Sequence, residues 1–175
     1  MELEIGDSAI NFNLKGIDGK TYSLDSFKGK KILVIIFSCN HCPYVRAYED
    51  RIKQVQKDYK DNVRVVCINS NNDKNYPEDS YKNMIKRAKE KKYNFPYLRD
   101  DTQEVARAYG GEVTPDVFVF SQNRTLEYRG RIDDNWENPD DVTSDDLRNA
   151  LNEMLAGEEI KVKDVRAIGC SIKWK

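Results

Sequence analysis

The stretch that decides the fold is ILVIIFSCNHCP, residues 32–43. Its first six residues are apolar and mostly β-branched, which is typical of a central strand covered on both faces. The two cysteines follow almost at once, and Pro43 suits the first turn of a helix, where its missing N–H costs nothing. Beyond it, apolar side chains fall at steps of four, three and four, the spacing of one helix face: Tyr48, Ile52, Val55 and Tyr59. The sequence therefore predicts a strand, a turn with two cysteines and a helix in direct succession.

Further strands and helices are predicted on either side of this unit. Upstream, two alternating segments within residues 11–24 flank an Asp-Gly turn and predict a β-hairpin. Downstream, short apolar runs and helical periodicities alternate: strands at 63–68, 95–98, 117–120 and 126–132, and helices at 78–92, at 102–109 and around Leu147, Leu151 and Leu155. This order predicts an α/β sandwich, in which a mixed central sheet carries helices on both faces.

The length of 175 residues indicates a single domain, residues 1–175. We expect its core at about residues 5–156 and a C-terminal tail at residues 157–175. Apolar positions alternate along the end of this tail, which predicts an extended segment that packs back on the domain with its cysteine on the apolar side: Ile168, Cys170, Ile172 and Trp174.

The composition excludes several classes of partner. Twenty-nine Lys and Arg residues against thirty Asp and Glu residues give a net charge of −1. Nucleic-acid and anionic-membrane binders need a clustered cationic excess, so we predict neither a nucleic-acid partner nor a membrane partner. The longest apolar run is six residues, whereas a membrane helix needs about 20. The first residues, MELE, lack the apolar segment of a secretory signal, so we expect a cytoplasmic protein.

Cys39 and Cys42 fall where a buried strand should end and a helix should begin. Unpaired N–H groups and the helix dipole favour an anion there, so we expect Cys39 to be a thiolate with a pKa below the usual value of about 8.5. Two cysteines separated by two residues can close a disulfide and open it again by exchange. His41 lies between them, and an imidazolium beside Cys39 would favour the thiolate further and make the pair more oxidising.

Two other roles fit such a pair, namely a zinc site and an inert structural disulfide. Zinc normally takes four protein ligands, or three and a water. Beyond the pair, the available soft ligands are His41, Cys67 and Cys170, and Cys67 falls in an apolar run that predicts a core position. We therefore expect a redox role, with no metal and no other cofactor.

Three segments carry a resemblance to a known family: LDSFKGK at residues 24–30, the strand with its Cys-x-x-Cys turn and helix, and VTPDVF at residues 113–118. In this order and spacing they resemble the thioredoxin-fold proteins of the peroxiredoxin-like (redoxin) branch, which are related to the thiol–disulfide oxidoreductases. The resemblance implies a thioredoxin-like three-layer sandwich, here with an extra N-terminal β-hairpin and an extended C-terminal tail. It also implies that the bond before Pro115 is cis and faces the dithiol, with Thr114 as partner.

The sequence departs from the patterns of this group at several positions. Thioredoxin has a buried acid on its first core strand, whereas residues 31–38 contain no carboxylate. The two residues between the cysteines are Asn-His in place of Gly-Pro. Peroxiredoxins have their peroxidatic cysteine at the position of Cys42, with a proline seven residues earlier and a threonine or serine three earlier. Those positions are Ile35 and Cys39 here, which argues against peroxidase activity.

The first functional hypothesis is therefore a thiol–disulfide oxidoreductase. It would act on protein or small-molecule disulfides and would exchange electrons with a reductant or oxidant protein. Cys39 would attack the substrate disulfide, and Cys42 would resolve the mixed disulfide. The supporting residues are Asn40, His41, Pro43, Thr114 and Pro115.

Two alternatives remain open. One is a thiol peroxidase, in which one of the cysteines becomes a sulfenic acid. The other is a redox-responsive binding module that turns over no substrate. Cys170 also has two interpretations, a small buried packing residue or a third thiol that reaches the dithiol when the tail folds back. The second requires Cα atoms within about 7 Å.

Overall fold

The structure is a computed structural model that describes residues 2–175. Within this range ten strands form an eight-stranded sheet and a two-stranded one. The strands are β1 (Leu14–Gly16), β2 (Thr21–Tyr22), β3 (Ile32–Ser38), β4 (Val63–Asn69), β5 (Tyr97–Arg99), β6 (Val113–Thr114), β7 (Asp116–Phe120), β8 (Leu126–Gly130), β9 (Asp164–Val165) and β10 (Cys170–Ser171). The helices are α1 (Pro43–Asp58), α2 (Tyr81–Lys91), α3 (Glu104–Tyr109) and α4 (Asp146–Leu155), with 3-10 helices at Leu24–Phe27, Pro77–Asp79 and Pro139–Asp141. None of the helices in residues 2–175 has the length and apolar character that a bilayer crossing requires.

The large sheet is mixed, as predicted. Its strand order is β2-β1-β5-β4-β3-β7-β8-β9. β3 pairs in parallel with β4 and β4 with β5, whereas β7 pairs antiparallel with β3 and β8 with β7. β3 lies in the middle of the sheet, and all seven of its residues are buried. The continuous apolar run of this strand is therefore explained by cover on both faces.

Helices pack on both faces of this sheet. Alternate side chains of a strand point to opposite faces. Ile36 and the even-numbered residues before it in β3 belong to a core that includes side chains of α1, α2 and α4. Phe37 and the odd-numbered residues before it belong to a second core with α3 and the N-terminal segment. The structure thus confirms the three-layer α/β sandwich.

The predicted N-terminal hairpin is present and is shorter than expected. β1 pairs antiparallel with β2, and only residues 14–16 and 21–22 take part as strands. β1 also pairs antiparallel with β5. The hairpin therefore extends one edge of the main sheet.

The junction of β3 and α1 forms as the sequence predicts. β3 ends at Ser38, Pro43 occupies the first turn of α1, and Cys42 is the N-cap residue. The apolar positions of the helix are buried along one face: Val45, Tyr48, Ile52 and Val55. Tyr59 lies one residue beyond the helix and is half-buried. The two cysteines therefore lie between a buried strand and the first turn of a helix that packs on it.

The second helix begins later than predicted. The sequence predicts a helix over residues 78–92, whereas Pro77–Asp79 form a separate 3-10 turn and α2 starts after it. Ser80 explains the boundary, because its side chain accepts a hydrogen bond from the Asn83 N–H as an N-cap. Asp79 consequently lies outside the helix, and it is completely buried.

The C-terminal tail packs back on the domain. β9 pairs in parallel with β8, and β10 pairs antiparallel with β6. Gly169 permits this close approach, since a Cβ there would lie 2.1 Å from the Thr114 carbonyl oxygen. The predicted apolar alternation holds only in part, because Ile172 is 3% exposed but Ile168 and Trp174 are 56% and 38% exposed. The paired stretch is only two residues long, so the alternation of a strand does not extend to the flanking positions.

Candidate active site

Cys39 and Cys42 lie together at the carboxyl end of β3. Both are almost completely buried, with 1% and 0% of their surface exposed. With Val45 they form a small cluster against which Tyr44 and Cys170 pack. All four cysteines of the chain are free thiols in this structure. Three of them therefore meet at one place.

The segment between β6 and β7 faces the two buried thiols. The Thr114–Pro115 peptide bond is cis, as the resemblance implies. The Cys39 Sγ lies 3.5 Å from the Thr114 Oγ1, and the Cys42 thiol donates a hydrogen bond to the Thr114 carbonyl oxygen at 3.4 Å. The antiparallel pairing of β7 with β3 holds this segment beside the dithiol.

Hydrogen bonds distribute the charge of the dithiol unequally. The Cys39 thiol, the Cys170 thiol and nearby backbone N–H groups donate to Cys42 and lower its pKa to about 4. The same contact with Cys42, burial and the negative charge of Asp79 raise the pKa of Cys39 well above its usual range. The Thr114 carbonyl acts in the opposite direction on Cys42, because it accepts only from the protonated thiol. The balance favours a thiolate at Cys42.

This distribution differs from the expectation that Cys39 carries the thiolate. Cys42, and not Cys39, is the N-cap residue of α1, so the N–H groups of the helix start act on Cys42. Cys39 lies instead near a buried carboxylate, and a neighbouring negative charge disfavours a second one. The order in which the two sulfurs react stays a prediction.

Asn40 fastens the Cys-x-x-Cys turn to three other parts of the fold. Its backbone N–H donates to Asp79 Oδ1 at 2.6 Å, and its side-chain amide donates to the Glu78 carbonyl at 2.8 Å. Its side-chain oxygen accepts from the Tyr97 hydroxyl at 2.7 Å, and its carbonyl accepts from Arg46 Nε at 3.0 Å. Because these groups are paired, Asn40 is suited to orienting the turn rather than to reacting.

Asp79 is a buried acid next to the dithiol. Besides the Asn40 N–H, its oxygens accept from the side-chain amides of Asn69 and Asn71 at 3.3 and 2.9 Å. Its Oδ2 also lies 2.6 Å from His41 Nδ1. A buried charge persists only where such polar partners surround it. Asp79 therefore supplies a fixed negative charge beside Cys39, from the turn before α2.

His41 is turned toward Asp79. Its ring stacks on Tyr76, with centroids 5.7 Å apart and an angle of 6° between the ring planes. About a quarter of its side chain, 24%, is exposed. A positive charge on His41 would pair first with Asp79, so its expected support of a Cys39 thiolate is weakened.

Sequence reasoning missed Asp79. Its partner Asn40 is 39 positions earlier in the chain, and residues 31–38, where thioredoxin has its acid, contain no carboxylate. The available signal was the polar run NSNND at residues 69–73, which follows a buried strand. Polar residues at the carboxyl ends of neighbouring parallel strands meet at one edge of a sheet. That signal indicates a polar edge near the dithiol but does not single out Asp79.

Cys39, His41 and Asp79 are also the residues that could hold a metal ion. Their donor atoms lie within 4.8 Å of one another, and sulfur, nitrogen and oxygen donors suit zinc. Both Asp79 oxygens already accept amide hydrogen bonds, so an ion would have to displace them. A metal-bound Cys39 thiolate would also be unavailable for exchange. A redox role therefore fits these contacts better than a metal site.

Cys67 lies apart from the other thiols. It is 2% exposed within β4, in the core on the α1 side of the sheet. Burial raises the pKa of this thiol far above its usual range. Its predicted core position is confirmed, and Cys67 can serve as a control thiol in experiments on the other three.

Asp116 should give the protein a pH-dependent stability. Burial raises the pKa of this carboxyl from 3.8 to about 6. The folded state then binds the proton of this carboxyl more tightly than the unfolded state does. The contribution of Asp116 to the free energy of unfolding is therefore complete below pH 4 and is lost as the pH rises through 6. We expect Asp116→Asn to be more stable than the wild type at pH 7.5 by up to about 3 kcal/mol.

Urea unfolding of both proteins between pH 4 and pH 7.5 checks this expectation. The difference in the free energy of unfolding between the two proteins isolates the contribution of Asp116, because ionisable groups present in both, including Cys42, contribute equally. The difference should grow from near zero at pH 4 and level off above pH 6. A difference that does not change with pH would contradict the argument.

The fold and the site define a thioredoxin-like protein with a pair of thiols at the junction of a central strand and a helix. Residues 4–151 match the Redoxin family, and the chain belongs to that family. Among curated proteins it is similar to the Thioredoxin-like protein YneN of Bacillus subtilis (strain 168), with 34% identity over 67 residues. That match spans 38% of this chain and only 39% of YneN.

Two solved structures with similar folds match almost the whole chain, and a third matches about three quarters of it. An uncharacterized conserved protein from Geobacillus kaustophilus is 42% identical with a TM-score of 0.93, over 98% of this chain and 93% of that one. The protein SMc02350 from Sinorhizobium meliloti 1021 is 36% identical with a TM-score of 0.93, over 100% of this chain and 97% of that one. The thioredoxin domain of a thiol-disulfide oxidoreductase from Bacteroides vulgatus shares the fold at 19% identity, with a TM-score of 0.61 over 74% of this chain and 91% of that one.

Proposed function

We propose that this protein is a thiol–disulfide oxidoreductase that uses Cys39 and Cys42 as its redox dithiol. The observation that carries the proposal is the contact of these two thiols opposite Thr114 and Pro115. Thiols in contact can close a disulfide without a large movement of the backbone. Membership of the Redoxin family, and a fold shared with a thiol-disulfide oxidoreductase, support the same activity.

In the proposed cycle, Cys39 attacks a protein or small-molecule disulfide. The substrate S–S bond breaks, a mixed disulfide forms on Cys39, and one substrate sulfur leaves as a thiol. Cys42 then attacks the Cys39 sulfur, releases the second substrate thiol and leaves a Cys39–Cys42 disulfide. The substrate has gained two electrons, and a dithiol reductant returns two electrons to the protein.

Proton transfer between the two sulfurs prepares the attack. The two sulfurs lie in one buried cluster, so we propose that the proton of Cys39 passes to Cys42 when a substrate binds, which puts the negative charge on Cys39. His41 is partly exposed, and its Nδ1 lies 2.6 Å from the buried Asp79 Oδ2 without making a hydrogen bond. We propose that Asp79 takes the place of the strand carboxylate of thioredoxin beside the dithiol.

A thiol peroxidase is the second candidate function, and the environment of Cys42 favours it. Cys42 has a pKa lowered to about 4, and it occupies the position of the peroxidatic cysteine in peroxiredoxins. A low pKa makes a thiolate available at neutral pH for attack on a peroxide. Cys39 occupies the place of the peroxiredoxin threonine or serine, which argues against this candidate.

Two assays run side by side test the proposal. We expect the protein to accelerate insulin reduction by dithiothreitol and to leave hydrogen peroxide consumption at the background rate. Cys67→Ala, which changes only a core thiol, should retain the insulin activity. Peroxide consumption without insulin reduction would favour the peroxidase, and absence of both activities would favour a redox-responsive binding module.

We also propose the domain extent, the compartment and the partners that fit this activity. We treat residues 1–175 as one domain whose tail, residues 157–175, completes the site, because β10 pairs beside the dithiol. We propose a reducing compartment such as the cytoplasm, where a closely spaced cysteine pair is more often catalytic than structural. The partners would be disulfide-bearing proteins or small molecules and a dithiol protein that reduces the pair.

A further inference from the structure

The tail holds a third thiol against the dithiol. In β10, Cys170 is paired directly opposite Thr114, the residue whose carbonyl accepts the hydrogen bond from Cys42. Residues directly opposite in an antiparallel pair have Cα atoms about 4.5–5.5 Å apart. Cys170 accordingly packs against the Cys39, Cys42 and Val45 cluster. The contact therefore follows from strand register and not from a chance approach of a loop.

Hydrogen bonds hold the tail in place immediately after Cys170. The Ile172 N–H donates to the Glu112 carbonyl at 2.9 Å, and the Ile172 side chain is buried. The Asn72 N–H and the Gln103 side-chain amide both donate to the Lys173 carbonyl, at 2.7 and 2.9 Å. These bonds fix the register and keep the third thiol in place.

Accessibility separates Cys170 from the other two thiols. Cys39 and Cys42 are buried, whereas Cys170 is partly exposed. An external thiol therefore reaches the cluster most directly through Cys170. Burial, and then the neighbouring Cys42, raises the pKa of Cys170 to about 11, so Cys170 is protonated while Cys42 is reduced.

We propose that Cys170 is a third redox thiol, which forms a disulfide with Cys42 and passes electrons from an external dithiol to the buried pair. This inference rests on the proposed function. Cys170 attacks the Cys42 sulfur of the Cys39–Cys42 disulfide, the Cys42–Cys170 bond forms, and Cys39 leaves and takes the proton from Cys170. No electrons are gained or lost in this step.

The external dithiol then completes the reduction. Its first thiolate attacks the sulfur of the partly exposed Cys170 and releases Cys42 as a thiolate. Its second thiol resolves the mixed disulfide and releases Cys170. The external dithiol is oxidised to a disulfide, and the protein has gained two electrons.

Peptide mapping of a Cys39→Ser variant tests the proposal directly. After oxidation with diamide, blocking of free thiols and trypsin digestion, we expect a disulfide-linked pair of peptides, residues 32–46 and 167–173. The matched control combines Cys39→Ser and Cys170→Ser with Ser171→Cys, which moves the thiol by one residue to an exposed position. That control should give at least about tenfold less linked peptide, since successive side chains of a strand point to opposite faces.

Two further variants separate the possible outcomes. Gly169→Ala in the Cys39→Ser background retains the thiol but pushes the tail away from Thr114, so the yield of linked peptide should fall. Cys170→Ser should still form the Cys39–Cys42 disulfide, and its reduction by dithiothreitol should be slower than in the wild type. No linked peptide from Cys39→Ser, or an equal yield from the moved thiol, would overturn the inference. Failure of Cys170→Ser to form the Cys39–Cys42 disulfide would instead count against the proposed function.

Discussion

Replacing Cys42 with serine is expected to stop turnover and to trap the protein on its substrate. Insulin reduction should fall at least about 100-fold, which corresponds to about 2.7 kcal/mol of activation free energy. The reason is that the mixed disulfide on Cys39 has lost the sulfur that resolves it. Non-reducing electrophoresis after incubation with a disulfide-bearing protein should show an adduct that dithiothreitol removes.

The matched variant Cys39→Ser distinguishes the two sulfurs. It should lose the same activity without accumulating the adduct, because the sulfur that attacks the substrate disulfide in the proposed cycle is absent. Cys67→Ala should behave as the wild type in both measurements. If Cys39→Ser accumulates the adduct and Cys42→Ser does not, Cys42 is the attacking sulfur, as its low pKa would allow, and the proposed order is wrong.

Asp79→Ala is expected to produce the largest loss of stability of any single change at the site. The carboxylate accepts from the Asn40 N–H and from the amides of Asn69 and Asn71, all of them buried. Each unsatisfied buried donor costs about 1–3 kcal/mol, so the free energy of unfolding should fall by about 3 kcal/mol or more. Urea unfolding at pH 7 measures this loss.

Asp79→Asn separates the electrostatic effect of Asp79 from its structural one. The amide retains the shape but removes the negative charge that raises the pKa of Cys39. Alkylation of Cys39, followed across pH, should therefore shift to lower pH in this variant. Asp100→Asn is the matched control, because Asp100 is equally buried and accepts from the Ser70 hydroxyl and the Ala106 N–H, away from the dithiol. A similar shift in both variants would mean that Asp79 acts only through the fold.

The strand, the turn and the first helix could be predicted because their signals are local. A continuous apolar run, a proline at the helix start and one apolar helix face all lie within residues 32–59. The mixed sheet follows from the order of such segments. The start of α2 was predicted too early, because Ser80 stops the helix as an N-cap and nothing in the apolar periodicity marks that boundary.

The sequence identifies the two cysteines of the site but not the residues that surround them in the fold. The position of Asp79 depends on a contact with Asn40 across 39 residues, and the position of Cys170 depends on the pairing of β10 with β6. Strand register between distant segments has no local signature in a single sequence. The helix start and His41 predict the thiolate on Cys39, whereas the contacts of the folded site and the Asp79 charge favour a thiolate at Cys42.

Redox titration of the wild-type protein tests the central claim, reversible disulfide exchange at Cys39 and Cys42, most directly. The protein would be equilibrated in glutathione buffers of defined potential, with dithiothreitol buffers for the most reducing range, its free thiols would be alkylated, and the alkyl groups would be counted by mass spectrometry. We predict one two-electron transition in which a pair of thiols at the site disappears together, with a midpoint between about −120 and −270 mV, the range from strong disulfide oxidants to thioredoxin. Cys67 should remain reduced throughout. If the thiols of the site were lost one at a time at different potentials, or if they remained reduced at every potential, the claim of reversible disulfide exchange would be wrong.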